Sequence, residues 1–376
     1  MTTAVGIDVG GTFTDLVLVE DGALVQHKTP TTPSDPATGA MQGLAELAAE
    51  TDRTLDAFLG DVGLIVHGTT VTTNAILTDR GARTGLLTTE GFRDILEMRR
   101  GVRSRKHLYD NSYVPPSPLV PRYLRLPVTE RVDVKGDVRT PLDEASVEAA
   151  LDLLAAEGVE AVAICLLHAY ANGDHERAVA ERVRERLPDA YLAVSHEVLP
   201  QVRIWNRVST TVMSAYVGTV LDRYIHRLVA ELGRATFRGT LLIMQSNGGV
   251  ATPEIVARNP ATTVLSGPAG GPVAGLAHTR PRGSDDCVIV DMGGTSFDAS
   301  IVKDGEVEIT REGEINRHLI ALPMIDVHTI GAGGGSIGWL DEGGLLHVGP
   351  QSAGADPGPA CYGRGGEAPT CTDADL

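Results

Sequence analysis

Two stretches of this chain carry the residue types that phosphate chemistry needs, in the same order. Val288-Ile-Val-Asp-Met-Gly-Gly-Thr-Ser-Phe-Asp298 runs three apolar β-branched residues into an acid, turns through Gly293 and Gly294, and returns past Asp298. Val5-Gly-Ile-Asp-Val-Gly-Gly-Thr-Phe-Thr-Asp15 repeats the pattern almost residue for residue. Paired glycines allow positive φ and bring backbone N–H groups close to an anion; hydroxyls add donors, and the acids stand where a phosphate-bound Mg²⁺ would be. One copy is compatible with a plain hairpin. Two copies suggest two halves gripping one nucleotide.

The elements that must position these turns follow from pattern. Each copy reads as strand, Gly-Gly-Thr turn, strand, Asp-Gly turn (Asp21-Gly22 and Asp304-Gly305), third strand, the last expected over Leu24–Lys28 and Glu306–Thr310. Thr31–Asp35 is expected to cap a helix carrying Met41, Leu44, Leu47 and Ala48. A buried strand at Val62–Val66 runs into His67-Gly-Thr-Thr-Val-Thr-Thr-Asn74, a β-to-α turn of the kind at which α/β folds place ligand contacts. Thr84–Thr88 reads as a strand and Glu90–Arg100 as a helix. Between 143 and 195, helix, strand, helix and strand alternate, implying parallel strands with helical crossovers. A long helix is expected over about 199–233, a strand over Leu241–Met244, and a small-residue turn, Ser266-Gly-Pro-Ala-Gly-Gly271, before a short helix.

Residues 101–128, with Pro115, Pro116, Pro118, Pro121 and Pro127 among Tyr109, Tyr113 and Tyr123, are expected to form an extended loop. Its approach holds the densest basic run, Arg99, Arg100, Arg103, Arg105, Lys106 and His107. This run is either a solvated surface or a contact for a carboxylate substrate, a phosphate or an acidic partner.

Composition narrows the function classes. The chain has 376 residues, room for two domains, with 42% hydrophobic, 22% charged and only 4% aromatic residues, so its cores rest on Val, Leu, Ala and Ile. A net charge of −17 argues against nucleic acid or an anionic membrane as the main partner. An acidic protein that binds a polyphosphate must supply positive potential locally. The four cysteines show no CxxC spacing, and no HxH or HExxH pattern occurs, so no tightly held metal of its own is expected. There is no signal-peptide pattern and no apolar run of about 18 residues, and a reducing cytoplasm is the expected compartment.

The ordered set of motifs looks like the sugar kinase, heat-shock chaperone and actin superfamily. Within it, Gly6–Asp15, His67–Asn74, Leu265–Gly270, Asp291–Ser296, Thr329–Ser336 and Gly349–Gly363 closely resemble the hydantoinase A / 5-oxoprolinase family, across essentially the whole chain. That family holds N-methylhydantoinases, 5-oxoprolinases and the ATP-binding subunits of acetone and acetophenone carboxylases. The resemblance implies an α/β fold of two actin-like ATPase lobes with duplicated ribonuclease H-like mixed sheets and ATP in the cleft between them, the lobes expected at 1–198 and 199–376. Family members are normally longer, so a C-terminal truncation and an incomplete second lobe are expected.

The resemblance implies ATP-dependent phosphorylation of a carbonyl or enol oxygen, by which a poor leaving oxygen becomes phosphate. Gly10, Gly11, Thr12 and Thr14 would face the β- and γ-phosphates, and Gly293, Gly294 and Thr295 would form the opposing clamp. Asp8 and Asp291 would hold Mg²⁺ through water. Asp15 and Asp298 would orient the nucleophile or only fasten their hairpins. Gly331, Gly333, Gly334 and Gly335 would let a nucleoside lie on bare backbone. Thr69, Thr70 and Asn74 belong to the expected substrate end, where His67 either contacts substrate or is a packed histidine. His328 is expected to be packed or hydrogen-bonded. Three functions compete: the ATP-using subunit of a cyclic-amide hydrolase working with a hydantoinase B-type second subunit in a hetero-oligomer, the equivalent subunit of a ketone carboxylase, and a nucleotide-binding protein that transfers no phosphate.

Overall fold

The computed structural model describes residues 3–32, 35–101, 107–294, 296–354 and 356–376. The chain opens with a meander, β1 (Thr3–Val9), β2 (Phe13–Glu20) and β3 (Ala23–Pro30), followed by helix α1 (Pro36–Glu50) and strand β4 (Val62–Thr69). β1 and β2 pair antiparallel with Asp8 opposite Asp15, and β4 lies parallel against the other edge of β1, with Ile7 opposite His67. Alternation decides the faces. Val5, Ile7 and Val9 are 1–3% exposed and, with Leu16 and Leu18, pack against Ala37, Ala40, Leu44, Leu47 and Ala48 of α1. Pro36 opens α1 at a position where its missing N–H costs nothing.

Between β4 and the rest of this sheet the chain inserts a second unit. Its four parallel strands run in the order Tyr191–Val194, Ala161–Cys165, Thr84–Thr89, Arg125–Val128, with helices Glu144–Ala156 and Asp174–Arg186 as crossovers. The expected alternation over 143–195 is present. Two expectations nearby are corrected. The Glu90–Arg100 helix shrinks to Ile95–Met98 plus a 3₁₀ turn, because Gly91 takes φ +87° and Arg99 and Arg100 take φ near +50°, which an α-helix cannot contain. The loop expected over 101–128 ends in a strand, Arg125–Val128, that pairs with Thr84–Thr89. Pro127 is tolerated there because it sits on the edge of that sheet. Arg103, Arg105 and Lys106 lie outside the described residues.

A 31-residue helix, Ile204–Arg234, joins the two units. Its first half buries Val208, Val212, Met213 and Val217 in the core of the insert; its second half buries Leu221, Tyr224, Ile225 and Leu228 beneath the first sheet. The chain then returns to that sheet. Thr240–Met244 pairs parallel with β4 and Val250–Ala251 closes the edge, giving the order β3-β2-β1-β4 followed by these two strands. Strands after residue 199 therefore complete the sheet begun at residue 3.

The second motif forms the hairpin Cys287–Met292 and Phe297–Lys303, with Asp291 opposite Asp298, the register of the first hairpin. Its third strand differs from expectation. Glu306–Val307 pairs only with the end of the hairpin; Ile309–Thr310 leaves to pair with Met324–Ile325, and Val327–Ile330 takes over alongside Phe297–Ser300. The excursion carries a small hairpin whose Ile315 and Ile320 pack into the core of the insert. Helix Gly270–Thr279 covers one face of the second sheet. On the other face Val288, Val290 and Met292 are 57–69% exposed, whereas their counterparts in the first hairpin, Val5, Ile7 and Val9, are buried.

Candidate active site

The tips of the two hairpins meet. A Cβ placed on Gly294 would sit 3.3 Å from Thr12 Oγ1, and the charges of Asp8 and Asp291 act on each other. Between the turns lies a cleft of about 500 Å³, lined by Asp8, Gly11, Thr12, Asp15, Lys28, Asp291, Gly293, Gly294, Ser296 and Gly334, with Phe13, Met292, Tyr362, Thr372 and Asp375 around them. A separate apolar groove of about 350 Å³ along Val229, Leu232, Phe237 and Leu241 holds none of these acids.

Strand register explains why the acids converge. Asp8, Asp15 and Lys28 are in register on β1, β2 and β3, so their side chains leave the sheet on one face, side by side. Asp8 pays for this position electrostatically. Burial, then the charges of Asp15 and Asp291, push its carboxyl from the ordinary 3.8 up to about 6, against a smaller downward pull from Lys28. Asp15 is ion-paired to Lys28, Nζ to Oδ1 at 2.7 Å, and the same ammonium lies 5.1 Å from the centre of the Phe13 ring. In the second hairpin, Asp298 accepts hydrogen bonds from Thr329 Oγ1 at 2.5 Å and Ser296 Oγ at 3.3 Å. It is fastened to the third strand of its own sheet.

The glycine-rich segment Gly331–Gly335 is stitched to the second turn: Gly334 N donates to Gly293 O at 3.0 Å and Gly335 N to Gly294 O at 2.7 Å. Only glycine fits at 333, where a Cβ would meet Gly293 O and the Gly294 carbonyl carbon at 2.7 Å. Gly334 lines the cleft, Gly333 and Gly335 are buried against the second turn, and Gly331 is exposed and not among the lining residues. Gly10 and Thr14 likewise hold the first turn: Gly10 N bonds Phe13 O, and Thr14 is buried with its hydroxyl 3.1 Å from Thr31 Oγ1. Thr295 lies outside the described residues.

His67 is the packed histidine of its two alternatives. It is fully buried in β4, its Nε2 is 2.7 Å from the Tyr224 hydroxyl, and burial draws its pKa down to about 4, so the ring is neutral and faces the core. Thr69 is also buried, with its carbonyl accepting from Ser266 Oγ. Thr70 Oγ1 donates to Val9 O at 3.0 Å and accepts from Asn74 Nδ2 at 3.1 Å, which ties the turn to the end of β1. The turn is joined to the 262–271 segment by Thr73 Oγ1, which accepts from Leu265 N, and by the Thr72–Thr263 hydroxyl pair. Asn74 is exposed. His328 is exposed, which overturns packing as its role: the segment's apolar look came from alternation on a sheet whose outer face is uncovered.

Lys28 is the cleft-lining residue that motif reasoning overlooked. It lies outside both glycine motifs, and the only signal available was its offset from the Asp21-Gly22 turn, which sets it opposite Asp15. Tyr362, Thr372 and Asp375 reach the cleft through Thr372 N, which donates to Gly334 O at 2.8 Å. Among the described residues no helix is long and apolar enough to cross a membrane, and all four cysteines are free thiols.

Comparison with known proteins agrees with this construction. Residues 4–187 match the hydantoinase/oxoprolinase N-terminal region and residues 207–376 match hydantoinase/oxoprolinase. Caprolactamase subunit alpha of Pseudomonas jessenii is 44% identical over 99% of this chain and 53% of its own length. The acetophenone carboxylase gamma subunit of Aromatoleum aromaticum is 35% identical over 99% of this chain and 52% of its own. Among solved structures, the ATP-dependent caprolactamase from Pseudomonas jessenii superposes with a TM-score of 0.86 at 44% identity, covering 99% of this chain and 54% of that one. Nucleotide-free acetone carboxylase gives 0.87 at 28% identity, with the same coverage. The chain spans about half the length of these relatives. With a mixed α/β fold of several sheets and two matched halves, it belongs to the hydantoinase/oxoprolinase family.

Proposed function

We propose that this chain is the ATP-using part of an ATP-dependent cyclic-amide hydrolase, in which a lactam or imide carbonyl oxygen is phosphorylated so that the ring can open. The observation that carries it is the meeting of two Asp-x-Gly-Gly-Thr hairpins, in identical register, across one cleft of about 500 Å³. The likeness to caprolactamase subunit alpha supports the substrate class. The sheet order β3-β2-β1-β4, three antiparallel strands and then a parallel one, supports an actin-like, ribonuclease H-like lobe around the first hairpin.

In this reading the Gly11-Thr12 and Gly293-Gly294 turns bind the β- and γ-phosphates from opposite sides, with Gly334 beneath the nucleotide. Such transfer rests on positioning and charge stabilisation. The amide oxygen attacks the γ-phosphorus, the bond to the β-γ bridging oxygen breaks, and ADP leaves with that electron pair. Water then adds to the activated carbon, the C–N bond breaks with the ring nitrogen leaving as a protonated amine, and a second water cleaves the resulting acyl phosphate to carboxylate and phosphate. The donor set suits Mg²⁺: Asp8 and Asp291 offer hard oxygens at one cleft, and Asp8, raised first by desolvation and then by the charges of Asp15 and Asp291, sits where a divalent cation would offset them. When bound, Mg²⁺ would neutralise phosphate charge, with Asp8 and Asp291 holding its water shell. Asp15 sits beside Asp8, paired with Lys28, where it would orient the nucleophile. The ring-opening half of the reaction falls to a second, hydantoinase B-type subunit.

Phosphate release from ATP, measured with lactams and hydantoins and with a cognate second subunit present, tests this. Stimulation by a cyclic amide that Asp291→Ala abolishes is the expected result; wild-type turnover by Asp291→Ala would refute the assigned clamp. The 35% identity to an acetophenone carboxylase subunit supports a second reading, ketone activation, which stimulation by ketone with bicarbonate would select.

A further inference from the structure

The two hairpins are matched in fold but not in chemistry, and the mismatch falls on one position. In the first sheet the in-register row across three strands is Asp8, Asp15, Lys28. In the second it is Asp291, Asp298, Thr329. Both third-strand residues bond the middle acid, Lys28 Nζ at 2.7 Å from Asp15 Oδ1 and Thr329 Oγ1 at 2.5 Å from Asp298 Oδ1. A threonine hydroxyl can only tether its aspartate. An ammonium on a flexible stem carries three donors and can exchange one anionic partner for another.

Charge makes that exchange favourable. The described lining of the cleft holds four carboxylates, Asp8, Asp15, Asp291 and Asp375, and one cation, Lys28. A nucleoside triphosphate entering this site meets net negative potential except at Lys28, whose side chain is 55% exposed and so free to swing. Resting on the nucleotide reading above, we infer that Lys28 is the positioning cation for the terminal phosphate, and that the hairpins are functionally asymmetric. The first row handles the transferred phosphoryl group and the second row is a fixed clamp. Lys28 is paired with Asp15; a γ-phosphate draws it away, and Asp15 is left unpaired beside Asp8.

The test is equilibrium binding of fluorescent ATP and ADP analogues, with Mg²⁺, to the 376-residue chain. Lys28→Gln is expected to weaken ATP about 10- to 100-fold, the scale of one charge-assisted hydrogen bond, and to leave ADP within about 2-fold. Lys28→Arg, which keeps the charge, is expected to restore most of the ATP preference. An exposed ion pair contributes little to folding, so the variants keep the wild-type melting temperature, which the same samples check. Equal weakening of ATP and ADP, or none of either, would overturn the assignment while leaving nucleotide binding intact. A Thr329→Val change that shifted the ATP/ADP ratio as far as Lys28→Gln would overturn the asymmetry. If the wild-type chain bound neither nucleotide, this inference and the functional reading beneath it would both fall.

Discussion

Replacing Asp8 by asparagine is expected to stabilise the nucleotide-free chain while destroying its chemistry. Asp8 lines the cleft beside Asp15 and Asp291 with its residue still open to solvent, and partial desolvation followed by those like charges raises its carboxyl from 3.8 to about 6. For an acid raised in the folded state, the penalty is absent below the unfolded pKa and complete above the folded one. Below pH 4 the carboxyl is protonated in both states and Asp8→Asn changes little. Between pH 4 and 6 the unfolded chain increasingly releases a proton that the folded chain keeps, and wild type loses ground. Above pH 7 the loss is complete, and because Asp8 keeps access to solvent, screening holds it to about 1 kcal/mol. The asparagine keeps the shape and never ionises, so its advantage over wild type grows with pH. For a cooperative unit of this size that is a rise in melting temperature of roughly 1–2 °C. The assay is thermal or urea denaturation of both proteins from pH 4 to 8 with chelator present. An Asp8→Asn protein that is no more stable than wild type at pH 8, or whose advantage does not shrink on acidification, would refute the argument that like charges crowd this site. Addition of Mg²⁺ and ATP is expected to reverse the order, by stabilising wild type alone.

Further outcomes follow from packing. Gly333→Ala sets a methyl against the backbone of Gly293 and Gly294, and is expected to cost about 1–3 kcal/mol and weaken nucleotide binding, read by denaturation and titration. Ile7→Ala and Val290→Ala remove side chains from equivalent hairpin positions, yet the first is expected to cost about 2–5 kcal/mol and the second under about 0.5 kcal/mol, since Ile7 is 3% exposed and Val290 62%; urea midpoints decide. His67, held neutral by burial with a pKa near 4, is expected to make the fold acid-sensitive. Its contribution is intact above pH 6.5 and lost as pH falls toward 4, by about 3 kcal/mol, an effect absent from His67→Phe in the same denaturation series.

Local pattern alone settled much of this protein. The repeated order of acid, paired glycines and returning strand located both hairpins and their register, because a two-residue side-chain period and a tight turn leave little freedom. The βα alternation over 143–195 and the long helix were equally legible, since each depends on residues close in sequence. Where the chain returns to a sheet was decided by tertiary structure. Strands 240–251 close a sheet opened at residue 3, and the third strand of the second hairpin is taken up by Val327–Ile330 after an excursion of about twenty residues. Burial was decided there as well. Val5-Gly-Ile and Val288-Ile-Val look alike in sequence, but only the first lies under α1. The same holds for chemistry: Lys28 carries no motif, and the sequence left His67 between contact and packing. Pairing across β2 and β3 brought the lysine to the acids, and the Ile204–Arg234 helix, through Tyr224, held the histidine in the core. A residue's type says what it can do, and its neighbours across the sheet determine whether it does it.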